Sequence, residues 1–200
     1  MPLVKLPNGQ LRDEIRQPLY DTITISAGES PVGTRQFFAN VQGKSLIRTN
    51  LKQNKLLEVA VSFRIQGMTL DCQNIYDANK DALALIQEDS SLRLAVGEKN
   101  YWSSPAQFVT GRLEQNAAVS TGTGTATDIV RNYQRYGAQA IQPLVFQGKH
   151  VVDILPLQAF YVEMVTDDMT AAEIAAATPA AATRLHFVLA LRGLLRRPVQ

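Results

Sequence analysis

Gly43-Lys44-Ser45 is the stretch of this chain most like chemical machinery, because Gly-Lys-Ser/Thr closes the phosphate-binding loop of nucleotide hydrolases. That loop also needs a glycine five residues before the Gly-Lys pair, so that backbone can approach the phosphates. A strand must precede it and a helix follow it, so that amides point at the anion. Phe38 stands at the glycine position, and Leu46-Ile47-Arg48-Thr49-Asn50-Leu51 carries no helical stripe. The triplet therefore reads as a turn between an early strand and an extended segment. Lys44 is expected to be a solvent or interface lysine, with no nucleotide bound.

The remaining reactive side chains are scattered. His150 and His186 both fall in strand patterns without a compact carboxylate–histidine spacing, so each reads as a satisfied imidazole rather than a metal ligand. Cys72 is the single cysteine, which leaves no internal disulfide and no cysteine cluster, and it is expected to be a buried apolar residue. Asp77 and Asp81 would share a helix face, the usual look of a solvated surface. Asp167-Asp168 belongs to a turn, since neighbours on a strand point apart. Gly122-Thr123-Gly124-Thr125 lacks the preceding strand and third glycine of a dinucleotide fingerprint. Arg196 and Arg197 would pull only weakly on phosphate or an anionic membrane surface. A neighbouring subunit's carboxylate suits them at least as well. No constellation meets the geometric needs of catalysis, so no enzyme activity, metal, cofactor or small-molecule substrate is expected.

Bulk properties are those of a folded soluble chain, not a disordered one. Two hundred residues with 46% hydrophobic and 19% charged side chains suit one core. A net charge of +2 is too small to mark a nucleic-acid site. No apolar run approaches the ~20 residues that cross a bilayer. The first nine residues lack the pattern of a secretory signal, and a reducing cytoplasm is the expected place of synthesis.

The elements that would position these residues are mostly strands. Alternation is strict over Asp21–Ala27, present over Arg35–Val41 and strongest over Leu57–Leu70. In that last stretch Val59, Val61, Phe63 and Ile65 share one face, and Gly67 marks a bulge or bend. Asp77–Gln87 fits a loop followed by a strand as well as a helical turn, and the helical turn is the preferred reading. Leu92–Val96, a turn at 97–100 and Tyr101-Trp102 leading to Val109 read as a hairpin. Val119–Thr127 reads as an exposed loop, and Asp128–Tyr136 as a short helix with Asp128 as N-cap and Gly137 as stop. Strands resume at Ala140–Phe146, His150–Leu155 and Gln158–Val165. Thr170 and Glu173 form a capping box for a helix that Pro179 ends, and Arg184–Arg192 is the last strand. Eight or nine short strands with decorated connections predict an all-β fold, a single jelly-roll β-sandwich with short helical insertions.

Stretches at both ends of the chain also resemble a known family. Gln17-Pro18-Leu19-Tyr20-Asp21-Thr22, Phe37-Phe38-Ala39-Asn40-Val41-Gln42-Gly43-Lys44-Ser45 and Thr49-Asn50-Leu51 are similar to the N-terminal half of jelly-roll capsid proteins of tailless icosahedral bacteriophages. Leu191-Arg192-Gly193-Leu194-Leu195-Arg196-Arg197-Pro198-Val199-Gln200 resembles their last strand and tail. The spans that hold them, 17–51 and 191–200, make up less than a quarter of the chain. The resemblance implies a virion protein that forms a shell with copies of itself and other capsid proteins, in several such viruses over an internal membrane. Most relatives carry two rolls or pair two single-roll proteins; this chain has room for one, which leaves major and minor capsid roles both open. Residues 1–18 and 194–200 would then be arms flanking a roll over 19–193, carrying Arg12, Arg16, Arg196 and Arg197 to neighbouring subunits. The reading from another class is a spike-type or cell-surface glycan-binding module, with Tyr101 and Trp102 in a ligand groove.

Overall fold

Leu185, Phe187, Leu189 and Leu191 are fully buried, while Val188, Ala190 and Arg192 between them face the other way. This period of two dictates how the chain builds its sheets. The computed structural model describes residues 3–5, 11–73, 80–109, 114–119, 129–134, 144–146, 151–179 and 184–198. In chain order the elements are β1 (Leu3–Lys5), β2 (Leu11–Arg16), β3 (Leu19–Ile25), β4 (Gly33–Phe37), β5 (Ser62–Gln73) and α1 (Lys80–Glu88). They continue with β6 (Ser90–Val96), β7 (Lys99–Pro105), β8 (Glu114–Val119), β9 (Ile129–Gln134), β10 (Leu144–Val145) and β11 (Val152–Ile154). The last are β12 (Phe160–Thr166), α2 (Ala171–Ala177) and β13 (Leu185–Pro198).

All pairings in the two larger sheets are antiparallel. In the seven-stranded sheet β13 and β5 run side by side through the centre, from His186 opposite Gln73 to Arg196 opposite Ser62. The other edge of β13 is shared: its first half pairs with β3 and its second half with β2, which in turn pairs with β1. The far edge of β5 takes β11 and β10. The four-stranded sheet has the order β4-β12-β6-β7, and β8 and β9 form a separate hairpin. Phe63, Ile65 and Leu189 of the first sheet and Phe37, Leu94 and Val162 of the second belong to one continuous buried cluster, the core of a β-sandwich-like fold. Leu83 and Ile86 of α1 and Ala177 of α2 join it. Cys72 lies in the same core, as its type predicts.

Several local expectations meet their element. Lys80–Glu88 is helical, and Thr170 and Glu173 form the reciprocal capping box at the start of α2. Gln66 is the extra residue where β13 shifts register between Arg192 and Gly193, so the irregularity does fall beside Gly67.

Four expectations are corrected. The strand expected from Leu57 begins at Ser62, because Ala60 takes a left-handed φ of 65° and turns the chain, leaving Val59 73% exposed. The strand expected over Arg35–Val41 stops at Phe37, because Phe38 is left-handed too. Residues 106–108 make a 3-10 turn rather than extending the hairpin. Ile129–Gln134 is strand β9, not helix, because its isoleucine, valine and tyrosine suit a strand and Glu114–Val119 supplies a ladder partner that local capping signals cannot reveal. His150, Asp77 and the Gly-Thr segment 122–125 lie outside the described residues.

The expected arms are also placed differently. Leu11–Arg16 and Leu194–Pro198 do not lie outside the strand pattern; they pair with each other in register, and Leu195 packs against the core. The physical reason is that Leu194-Leu195-Arg196-Arg197 carries no period-two pattern of its own, so its strand state comes from the β2 and β5 ladders on either side, which a scan for alternation misses.

Candidate interaction surface

The edge of β3 that faces away from β13 is covered by the segment carrying Gly43-Lys44-Ser45. Gly43, at φ 79°, sits in a turn closed by the Lys44 amide on the Val41 carbonyl at 3.2 Å. Lys44 Nζ then donates to Asp21 Oδ1 at 2.8 Å and to the Thr22 carbonyl at 2.7 Å. Asp21 faces the core, is fully buried, and accepts a second bond at Oδ2 from the Phe38 amide at 2.7 Å. Lys44 is thus a structural ion-pair partner, not a solvent or interface lysine. Two of its ammonium's three donors are thus engaged within the fold, and a bulky phenylalanine holds the left-handed turn where a phosphate loop would have glycine.

Residues 45–50 continue as a strap along the β3 edge. The Asn50 amide donates to the Tyr20 carbonyl at 3.3 Å, and the Tyr20 amide donates to Asn50 Oδ1 at 2.9 Å. Thr22 Oγ1 donates to the Arg48 carbonyl at 2.8 Å, and the Tyr20 hydroxyl bonds the Leu46 carbonyl. An unpaired strand edge invites pairing with another chain, and the strap removes that opportunity here. From the strap Arg48 reaches past β3 to His186 on β13, with Nη2 3.0 Å from Nε2, while His186 Nδ1 lies 2.8 Å from Thr24 Oγ1. Burial first, and then the charges of Arg48 and Arg184, hold the imidazole below its ordinary pKa.

Beyond the strap the same outer face opens into a cleft of about 570 Å³. Two interruptions create it: the break between β2 and β3 at Gln17-Pro18, and the bulge at Gly193. Thr69 and Ala190 floor it, and Arg16, Gln17, Gln66 and Arg192 form its walls. The strap and cleft are joined, because Asn50 Nδ2 donates to the Pro18 carbonyl at 2.7 Å. Arg16 and Arg192 are exposed and make no ion pair with a described residue. They offer two cationic forks to a carboxylate-bearing partner.

Of the four arginines expected at an interface, Arg16 alone lines this cleft. Arg196 Nε bonds Glu14 Oε2 at 2.8 Å, and Arg197 Nε lies 3.9 Å from Asp13 Oδ2, so both serve the pairing of β13 with β2. Arg12 occupies a ladder position opposite Pro198 and Val4. Sequence reasoning missed Arg192, although a charged residue directly after the buried Leu191 on an alternating strand was the signal for it. The aromatic pair does not form one platform: Trp102 packs against the core, whereas Tyr101 is the extra residue of a β7 bulge and 46% exposed. Among the described residues no three His, Cys, Asp or Glu side chains converge on a metal-sized site.

No protein-family model, curated protein or solved structure matches the chain.

Proposed function

We propose that the chain is a non-enzymatic structural subunit of an icosahedral phage capsid shell, built on a single jelly roll. One observation carries the reading: the nesting of the strands. Of the eight strands β3, β4, β5, β6, β7, β11, β12 and β13, the first pairs with the last, β4 with β12, β5 with β11, and β6 with β7. The pairs β13·β5 and β12·β6 then join these hairpins into β3-β13-β5-β11 and β4-β12-β6-β7. Such nesting is what two Greek keys wrapped into a two-sheet roll require. The family resemblance at both ends of the chain points the same way.

The surface supports assembly. Leu46, Ile47, Val59, Leu155 and Leu157 are large apolar residues on loops, each at least 57% exposed, and a neighbouring subunit would cover them. The cleft between Arg16 and Arg192 adds a polar site for a neighbour's carboxylate. Copies of itself and other capsid proteins are the expected partners, in a virion, as major or minor shell protein.

Light scattering and electron microscopy of the purified protein test this directly. Capsomer-sized rings or shells are expected as concentration rises. A chain that stays monomeric throughout and binds glycans overturns the proposal.

A further inference from the structure

Arginine only donates hydrogen bonds, so the 3.0 Å contact between Arg48 Nη2 and His186 Nε2 requires Nε2 to be the acceptor. His186 is then neutral, carries its proton on Nδ1, and donates it to Thr24 Oγ1 across the 2.8 Å contact. His186 as a residue is 3% exposed, on a strand that lies between β3 and β5. The charged groups around it are few among the described residues. Arg48 approaches from the strap, Arg184 from the start of its own strand, and Asp71 sits one cross-strand pair along the same face of β5, opposite Val188. Thr24 and Thr22 on β3 carry no charge. Arg48 is already poorly satisfied, since its Nη1 is buried without a hydrogen-bond partner.

We propose that His186 is the catch of a pH-sensitive strap, and that its protonation releases residues 45–50 from the edge of β3. A proton taken from solvent onto Nε2 removes the acceptor and puts an imidazolium against the guanidinium. Arg48 is left with two buried nitrogens unbonded, and like charges about 3 Å apart repel strongly where water is scarce. The least costly response is for Arg48 to swing out, taking the Thr22–Arg48 and Asn50–Tyr20 bonds with it. That uncovers the β3 edge and frees Leu46 and Ile47 at the strap's tip. The device belongs to the folded chain and does not depend on what the chain assembles with. It requires a neutral imidazole at physiological pH, and burial and both arginines favour that form.

The test is amide exchange at Tyr20 and Asn50, whose amides join β3 and the strap to each other, corrected for intrinsic rates, between about pH 7.5 and about pH 5. Wild type should lose protection at these amides by roughly tenfold or more on acidification, while β12 amides keep theirs. His186→Gln, which offers Arg48 a non-titrating acceptor, should hold strap protection constant. Unchanged protection in wild type, equal loss in His186→Gln, or loss shared by β12 overturns the proposal. If His186→Gln does not fold, ring-nitrogen NMR of wild type decides: a proton on Nδ1 near neutral pH supports the catch, and one on Nε2 overturns it.

Discussion

Lys44 is 25% exposed, but the carboxylate it meets is sealed from water. Removing the lysine leaves Asp21 charged and buried with only the Phe38 amide for company. Lys44→Ala should therefore lower unfolding free energy by about 3 kcal/mol, the low end for a broken buried pair because the lysine is partly solvated. Urea denaturation checks this, and adding Asp21→Asn should restore much of the loss. Glu163 shows the opposite balance on the other sheet. Burial raises its pKa, but hydrogen bonds from Arg93 and Gln36, with the charges of Arg93 and Lys55, hold it below the ordinary glutamate range. A carboxyl depressed in the folded state stabilises the fold above its unfolded pKa of about 4.3 and loses that contribution as pH falls through the folded value. Glu163→Gln should thus be slightly less stable near neutrality and show a flatter acid limb in denaturation midpoints. The effect should be small, because Arg93 is nearly half exposed and solvent screens the pair.

At the scale of elements, the bulge between β13 and β5 does most to shape the candidate surface. A Cβ on Gly193 would lie 1.9 Å from the Arg64 carbonyl oxygen and 2.9 Å from Phe63 Cζ, so no side chain fits without moving backbone. Gly193→Ala should cost roughly 3 kcal/mol or more, read as a lower melting temperature, because the obstacle is a sheet carbonyl and not a flexible tip. The strand beyond the bulge holds β2 in place through five register pairs and the Arg196–Glu14 ion pair. Deleting residues 194–200 should accordingly weaken folding itself, lowering the denaturation midpoint and exposing Phe63. A shortened chain that melts like the full one would return this segment to the role of a detachable arm.

For the whole molecule, the proposed shell role assigns the two cleft arginines and the exposed loop leucines to contacts with a second copy. Arg16→Glu with Arg192→Glu should leave the melting temperature unchanged, since neither side chain pairs with a described residue. The same change should raise the concentration needed for assembly by about tenfold, as reversed charges at a cleft repel a carboxylate partner. Sedimentation and light scattering measure both the assembly and its loss. Added salt should weaken wild-type assembly and partly restore that of the reversed variant, because it screens attraction and repulsion alike.

Much of the all-β fold was legible beforehand because a strand writes its own period. Asp21–Ile25, Leu92–Val96, Phe160–Val165 and Leu185–Leu191 alternate whatever they pair with, and the Thr170/Glu173 cap is wholly local. The candidate site was far less legible. Arg16, Arg192 and Gln66 meet only because a break in one strand and a bulge in another fall side by side. Lys44 finds Asp21, and Arg48 finds His186, across 23 and 138 residues of chain. β9 read as a helix because its partner is supplied by a hairpin that no local signal announces. Composition and periodicity by themselves determined that this chain would form sheets around one core. Register, bulges and the path of the strap decided which charges are sealed, which are shared and which remain to meet a partner, because those depend on distances that only folding sets.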